Sequence, residues 1–224
     1  MTDPISAALG KEAIDQASGM VDRWLVSIKD RDDQIAARIL YEATLALAQM
    51  RAYCNQVRVV HLPLRRFSLD WPPERRAELR DAWAPWASIF DVLPALETVT
   101  DTLYLREVRL PTRWWRDDTD QRAVAALETE LAGTVAMFIN DVAYGIKHAK
   151  IYIDPVDFDT DAQSIRDFAH LALGLTEDPG DVLIGRARTA VVRMRERVLG
   201  QRSGLPEHVW HQLDALAFGV THSG

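Results

Sequence analysis

The amino-acid sequence predicts an all-α protein: an antiparallel bundle of about six or seven helices with a proline-rich irregular segment in its middle. Three observations predict it. Apolar residues recur at three- and four-residue steps through most of the chain. Proline, glycine and acidic clusters fall between those stretches, where helices stop and start. And 224 residues, 48% of them hydrophobic and only one a cysteine, can bury one core without a disulfide or a metal.

The first helix is expected after Thr2 or Asp3, with Pro4 in its first turn and Ile5, Leu9, Ala13, Met20, Val21, Trp24 and Ile28 along one side. Asp30-Arg31-Asp32-Asp33 reads as a turn, and the next helix carries Ile35, Ile39, Ala43, Ala46, Met50, Cys54 and Val57. Residues 1–60 then form a helical hairpin. Residues 61–116 are irregular, because Pro63, Pro72, Pro73, Pro85 and Pro94 each end or kink a helix. Asp70-Trp71-Pro72-Pro73-Glu74 starts one short helix, continued by Leu79 and Trp83, and Ile89 to Leu93 and Leu96 to Leu105 read as further short pieces. The β-branched stretches Val57 to Leu64 and Ile151 to Ile153 are candidate short strands.

Residues 117–224 hold the longest helix and the C-terminal helices. Asp117-Asp118-Thr119 opens a helix of about 30 residues, with the stripe Leu127, Leu131, Val135, Phe138, Val142, Ile146 and Ala149, and Pro155 bars its continuation. A second helical pair follows: Ala162 to Leu173, burying Ile165, Phe168, Ala169 and Ala172, and Asp181 to Leu199 after Asp178-Pro179-Gly180. Pro206 starts a final helix with Val209, Leu213 and Leu216 inward. The whole chain reads as a single helical domain.

Charge narrows the functional classes. The net charge of -7 disfavours a nucleic-acid-binding surface over the whole protein. The lone cysteine fits a reducing cytoplasm. No apolar run reaches the roughly 20 residues of a membrane span, and Met1-Thr2-Asp3-Pro4 lacks the basic and apolar regions of a signal peptide. Lysine occurs at four positions only, the other 22 basic residues being arginine, a bias that high-GC bacterial genomes produce. A cytoplasmic bacterial protein is the expectation.

The charges are also segregated. Asp154, Asp157, Asp159, Asp161, Asp167, Glu177, Asp178 and Asp181 precede Arg186, Arg188, Arg193, Arg195, Arg197 and Arg202. On a helical wheel Arg186, Arg193 and Arg197 fall within about 40° of one another, away from the stripe Ile184, Ala187, Val191, Met194 and Val198. Arg193 and Arg197 repel each other at i,i+4, so something outside the helix should neutralise them. One candidate is the acidic segment folded back beside them; the other is an acidic partner, a protein more readily than a nucleic acid. The heptad-like stripe itself suggests a homo-oligomer.

The chemistry-bearing residues assemble no familiar site. Asp157-x-Asp159-x-Asp161 begins like a calcium loop, but Ala162 and Phe168 stand where glycine and glutamate are required, so the acids read as helix-start residues. His208 and His211 lack the glutamate of a zincin, and no histidine stands three after a glutamate as in a di-iron bundle. Neither a metal nor an organic cofactor is expected. Cys54 lies on an apolar stripe and reads as inert packing. No nucleophile elbow, phosphate loop or dinucleotide fingerprint occurs. The polar face Asn140, Asp141, Tyr144, Lys147 and His148 reads as solvated surface.

Two features point to macromolecules. Trp114 and Trp115 stand between Arg113 and Arg116 in a polar connection, where both rings cannot easily turn inward, and tryptophan with arginine makes binding hot spots. The spacing Arg202-x5-His208, and the segment Tyr144-Gly-Ile-Lys-His-Ala-Lys-Ile-Tyr-Ile-Asp154, resemble the higher eukaryotes and prokaryotes nucleotide-binding (HEPN) ribonucleases and their abortive-infection members. That resemblance implies a helical bundle that cleaves RNA without a metal; it assigns no catalytic residue here, and Arg166-x3-His170 is one residue short of the spacing. The first expectation is therefore a non-enzymatic interaction or regulatory protein. It would bind a protein partner through Arg186, Arg193 and Arg197 or through Trp114 and Trp115, with an RNA-cleaving toxin as the alternative.

Overall fold

A computed structural model describes residues 31–83, 118–151 and 158–199. Every regular element among them is a helix, and no strand occurs among the described residues. In chain order they are α1 (Arg31–Leu64), α2 (Pro73–Trp83), α3 (Asp118–Phe138), a π-helical segment (Ile139–Tyr144), α4 (Gly145–Ile151), α5 (Ala162–Leu175), a second π-helical segment (Thr176–Gly180) and α6 (Asp181–Leu199). The expected helices before residue 31, between 84 and 117 and after 199 lie outside the described residues.

α1 follows from its stripe. Ile39, Ala43, Ala46, Met50, Cys54 and Val57 are all buried, as their spacing predicts, and Leu40, Leu47, Tyr53, His61 and Leu64 widen the buried face. The Val57 to Leu64 stretch is not a strand: it is the last two turns of α1. Strand propensity in β-branched residues is weak against packing, and here Val57, His61 and Leu64 continue the helical stripe into the core. Pro63 is tolerated because it stands in the final turn, where the Val59 carbonyl it cannot bond belongs to an exposed residue.

The long helix is interrupted where the sequence shows no signal. At Ile139–Tyr144 the bonding widens to the π pattern before α4 resumes. The extra residue in that turn brings Ile139, Val142 and Ala143 all inward, alongside the predicted Leu127, Leu131, Val135, Phe138 and Ile146. Within Arg122–Ala149 an 18-residue window reaches a mean hydropathy of 1.2, long and apolar enough to cross a membrane by length and composition, which corrects the expectation that no stretch qualifies. Half of that window is buried inside the protein, the burden a central helix carries.

α5 and α6 end within two residues of their predicted bounds, but they are not a side-by-side pair. They meet mainly through Thr176–Gly180 and follow one another along α1. The break has a local cause: Asp178 precedes Pro179, which excludes the helical region, and its backbone is extended at φ -146°, ψ 107°. α5 runs antiparallel to α1, since Phe168 packs on His61 with ring centroids 5.2 Å apart and Arg58 bonds Thr176. α6 continues in that direction and packs against α3. The 118–151 rod instead runs alongside α1 in the same sense, with Phe138 edge-on to Tyr53 at 5.9 Å and Gly145 against Leu175, the residue before Thr176. The antiparallel expectation thus holds for α1 with α5 and fails for α1 with α3.

A satellite core closes the end where α1 stops and α5 starts. Leu64, Phe67, Phe158, Ile165 and Ala169 are its buried members, with Trp71, Leu79 and Trp83 packed over them. α2 itself buries no residue completely and acts as a cover. It is held by the Arg76–Asp159 ion pair at 2.9 Å, and Arg166 of α5 donates to the Phe67 carbonyl at 2.8 Å.

Candidate functional site

The predicted arginine face lies on α6, and Arg186, Arg193 and Arg197 are all exposed. What places them is the opposite side of the helix: Leu183, Ala187, Ala190, Val191 and Met194 are buried in the main core. This corrects the use proposed for the apolar stripe. Ala187, Val191 and Met194 are spent inside the chain against α1 and α3 and offer no free seam to a second copy.

Among the described residues of the acidic segment none pairs with Arg186 or Arg193, Asp154 and Asp157 lying outside them. Asp181 pairs with Arg58 of α1 at 2.8 Å and Asp159 with Arg76 of α2. Asp161 caps α5 by accepting from the Ser164 amide at 3.0 Å, the helix-start role its position predicts. Asp167 accepts from Gln163 on its own helix at 2.7 Å. Arg186 and Arg193 make no ion pair among the described residues.

Arg193 and Arg197 also border a feature that no wheel could show. An open groove of about 580 Å³ runs between α3 and α6. Ala123, Ala126, Leu127 and Glu130 line it from α3, and Arg193, Glu196 and Arg197 from α6. The alanines create the depression, because short side chains on α3 leave the space beside α6 unfilled. Leu127, almost fully buried, forms its floor. Neither Glu130 nor Glu196 pairs with Arg193. Arg193 and Glu130 thus stand at the rim without an ion pair among the described residues, whereas Arg197 is already engaged.

The other singled-out residues are placed as follows. Trp114, Trp115, Arg202, His208 and His211 lie outside the described residues. Arg166 is partly buried and engaged with Phe67 and Gln163, while His170 is exposed on α5. Asn140, Asp141, Lys147 and His148 are exposed, with the Lys147 ammonium 5.4 Å from the Tyr144 ring. Cys54 is buried, and burial pushes its thiol up to about 12. Among the described residues no three of His, Cys, Asp or Glu gather as metal ligands.

Comparison with protein-family models, curated proteins and solved structures finds no match to this chain.

Proposed function

We propose that this protein is a bacterial, cytoplasmic interaction or regulatory protein, non-enzymatic, that binds a protein partner through the arginine face of α6. One observation carries the reading: Arg186 and Arg193 are exposed and unpaired among the described residues, while Asp159 and Asp181 pair with Arg76 and Arg58. The planar guanidinium fork suits carboxylates, and a packed helix fixes the spacing at which the side chains leave the backbone. Trp114 and Trp115 would add a second contact. In this reading the chain completes a bundle of six or seven helices, with a hairpin over residues 1–60 and a final helix after Pro206.

Charge reversal tests it. The tagged protein, purified from its own host beside the triple variant Arg186→Glu, Arg193→Glu, Arg197→Glu, should retain a stoichiometric protein that the variant loses. An identical set of bound proteins would overturn the reading. Cleavage of transfer RNA that survives a chelator and disappears on replacing His208 or His170 would replace it with the ribonuclease alternative.

A further inference from the structure

We infer, resting on that reading, that the protein partner of the arginine face is a second copy of this chain. The two copies lie antiparallel, with α5 of each on α6 of the other.

The charge along one rod selects this occupant. α5 packs on α1 and α4, and α6 on α1 and α3, so together they bury one side of a continuous rod and turn the other to solvent. On the outer side the two halves differ in sign. Asp167 and Asp178 are exposed on the first half and make no ion pair among the described residues. Arg166, the arginine of that half, is engaged with the Phe67 carbonyl and Gln163. Arg186 and Arg193 are exposed and equally unpaired on the second half. A rod acidic in one half and basic in the other complements its own reversed copy, and a two-fold axis satisfies both halves at once. A polyanion would match the basic half alone.

The rod's length sets the register. A dyad at Asp181, in the middle of residues 162–199, overlaps the two rods along their whole length. Arg193 then stands about 3 Å along the axis from exact opposition to Asp167 of the other copy, and Arg186 equally close to Asp178. Glu196, the acid beside Arg193, falls opposite Arg166 rather than opposite another acid. Leu171 and Val182, the exposed large apolar side chains of this rod, supply the apolar contact. Val182 lies beside the dyad, and Leu171 between Thr189 and Val192 of the other copy. A strip about 55 Å long and about 11 Å wide covers roughly 600 Å² on each copy, the low end for a specific interface. The dimer therefore forms and separates with concentration.

Sedimentation velocity of the full chain tests it, between about 1 and 100 µM. The mass should rise from the 25.3 kDa of one chain toward twice that, and salt should weaken the association. Asp167→Arg and Arg193→Asp should each raise the dissociation constant at least about tenfold, and the double variant, which exchanges the two charges, should restore it. Circular dichroism checks each fold. Asp178→Arg with Arg186→Asp is the second exchange pair if Asp167→Arg is unstable.

A single-chain mass at every concentration overturns the second copy. So does a dimer indifferent to the single reversals, or one that the exchanged pairs fail to restore. Host purification of the triple variant then decides the arginine reading separately: a different protein, lost only with the arginines, keeps that reading and names another occupant. An oligouridylate that binds the parent but not the triple variant, and separates the dimer, would assign the face to nucleic acid.

Discussion

Arg58 and Asp181 join α1 to the start of α6 through an ion pair of 2.8 Å, and the same guanidinium donates to the Thr176 carbonyl at 2.6 Å. Thr176 is fully buried, whereas the Asp181 side chain is more than half exposed. Arg58 therefore matters chiefly as the donor that satisfies the backbone where α5 ends.

The two partners should rank accordingly. Arg58→Met keeps the apolar stem and leaves the Thr176 carbonyl without this donor, at a cost of about 1–2 kcal/mol. Asp181→Asn removes only a screened pair and should cost about 0.5 kcal/mol or less. Urea midpoints measure both. A larger loss from Asp181→Asn would show that the charge pair, not the carbonyl, is the latch.

The glycines divide by what surrounds them. A Cβ on Gly180 would sit 3.0 Å from the Leu175 carbonyl oxygen and 3.3 Å from Cys54 Sγ. Gly180→Ala should therefore cost about 1–3 kcal/mol, and adding Cys54→Ala should not rescue it, since the backbone oxygen stays. Gly174 and Gly185 have nothing within 4 Å of that position. Alanine at either should raise stability by about 0.5–1 kcal/mol, read as a higher melting temperature.

Acid should destabilise the fold through His61. Its ring is fully buried, and Nδ1 lies 2.7 Å from the Val57 carbonyl, which only accepts, so Nδ1 carries the proton in the neutral ring. Burial lowers its pKa from 6.5 to about 4, partly offset by that hydrogen bond. A depressed folded pKa means the unfolded chain takes up the proton first. The stabilisation is present above about 6.5 and is lost as pH falls toward 4, up to about 3 kcal/mol in all. Unfolding free energies at pH 7.5 and 4.5 should therefore differ less in His61→Phe than in the parent. An equal difference in both proteins would assign the acid sensitivity to other groups.

Cys54 should be silent in the native state. Burial raises its thiol to about 12, against a smaller opposing pull from Arg58, so almost none is thiolate at pH 8. An aromatic disulfide reagent at that pH should leave the native thiol unmodified for as long as the fold persists, and should react completely in urea. Rapid native labelling would mean that α1 opens locally at this point.

Much of the helical skeleton was legible because burial on a helix repeats at three and four residues. Cys54 and Val57 on α1, Ile165 and Phe168 on α5, and Met194 on α6 all went inward as spacing required. The stop at Asp178-Pro179-Gly180 and the cap at Asp161 were legible for the same reason: each depends on residues within a few positions. In Val57 to Leu64 the local strand propensity of β-branched residues yields to the long-range helical stripe. The candidate site was legible only in part. A wheel groups Arg186, Arg193 and Arg197, but it cannot show α3 beside them.

The sequence by itself determined the central stripe that turns inward on α1, α3, α5 and α6, since periodicity and the local chemistry of caps and prolines are properties of neighbours along the chain. Tertiary structure alone decided three things. α5 and α6 lie end to end on α1, Asp181 and Asp159 pair with Arg58 and Arg76 rather than with Arg186 or Arg193, and small side chains at Ala123 and Ala126 open a groove beside Arg193. The reason is physical: helical stripes specify that a face must be covered without naming what covers it, and ion pairs and grooves exist only between elements whose adjacency packing has already chosen.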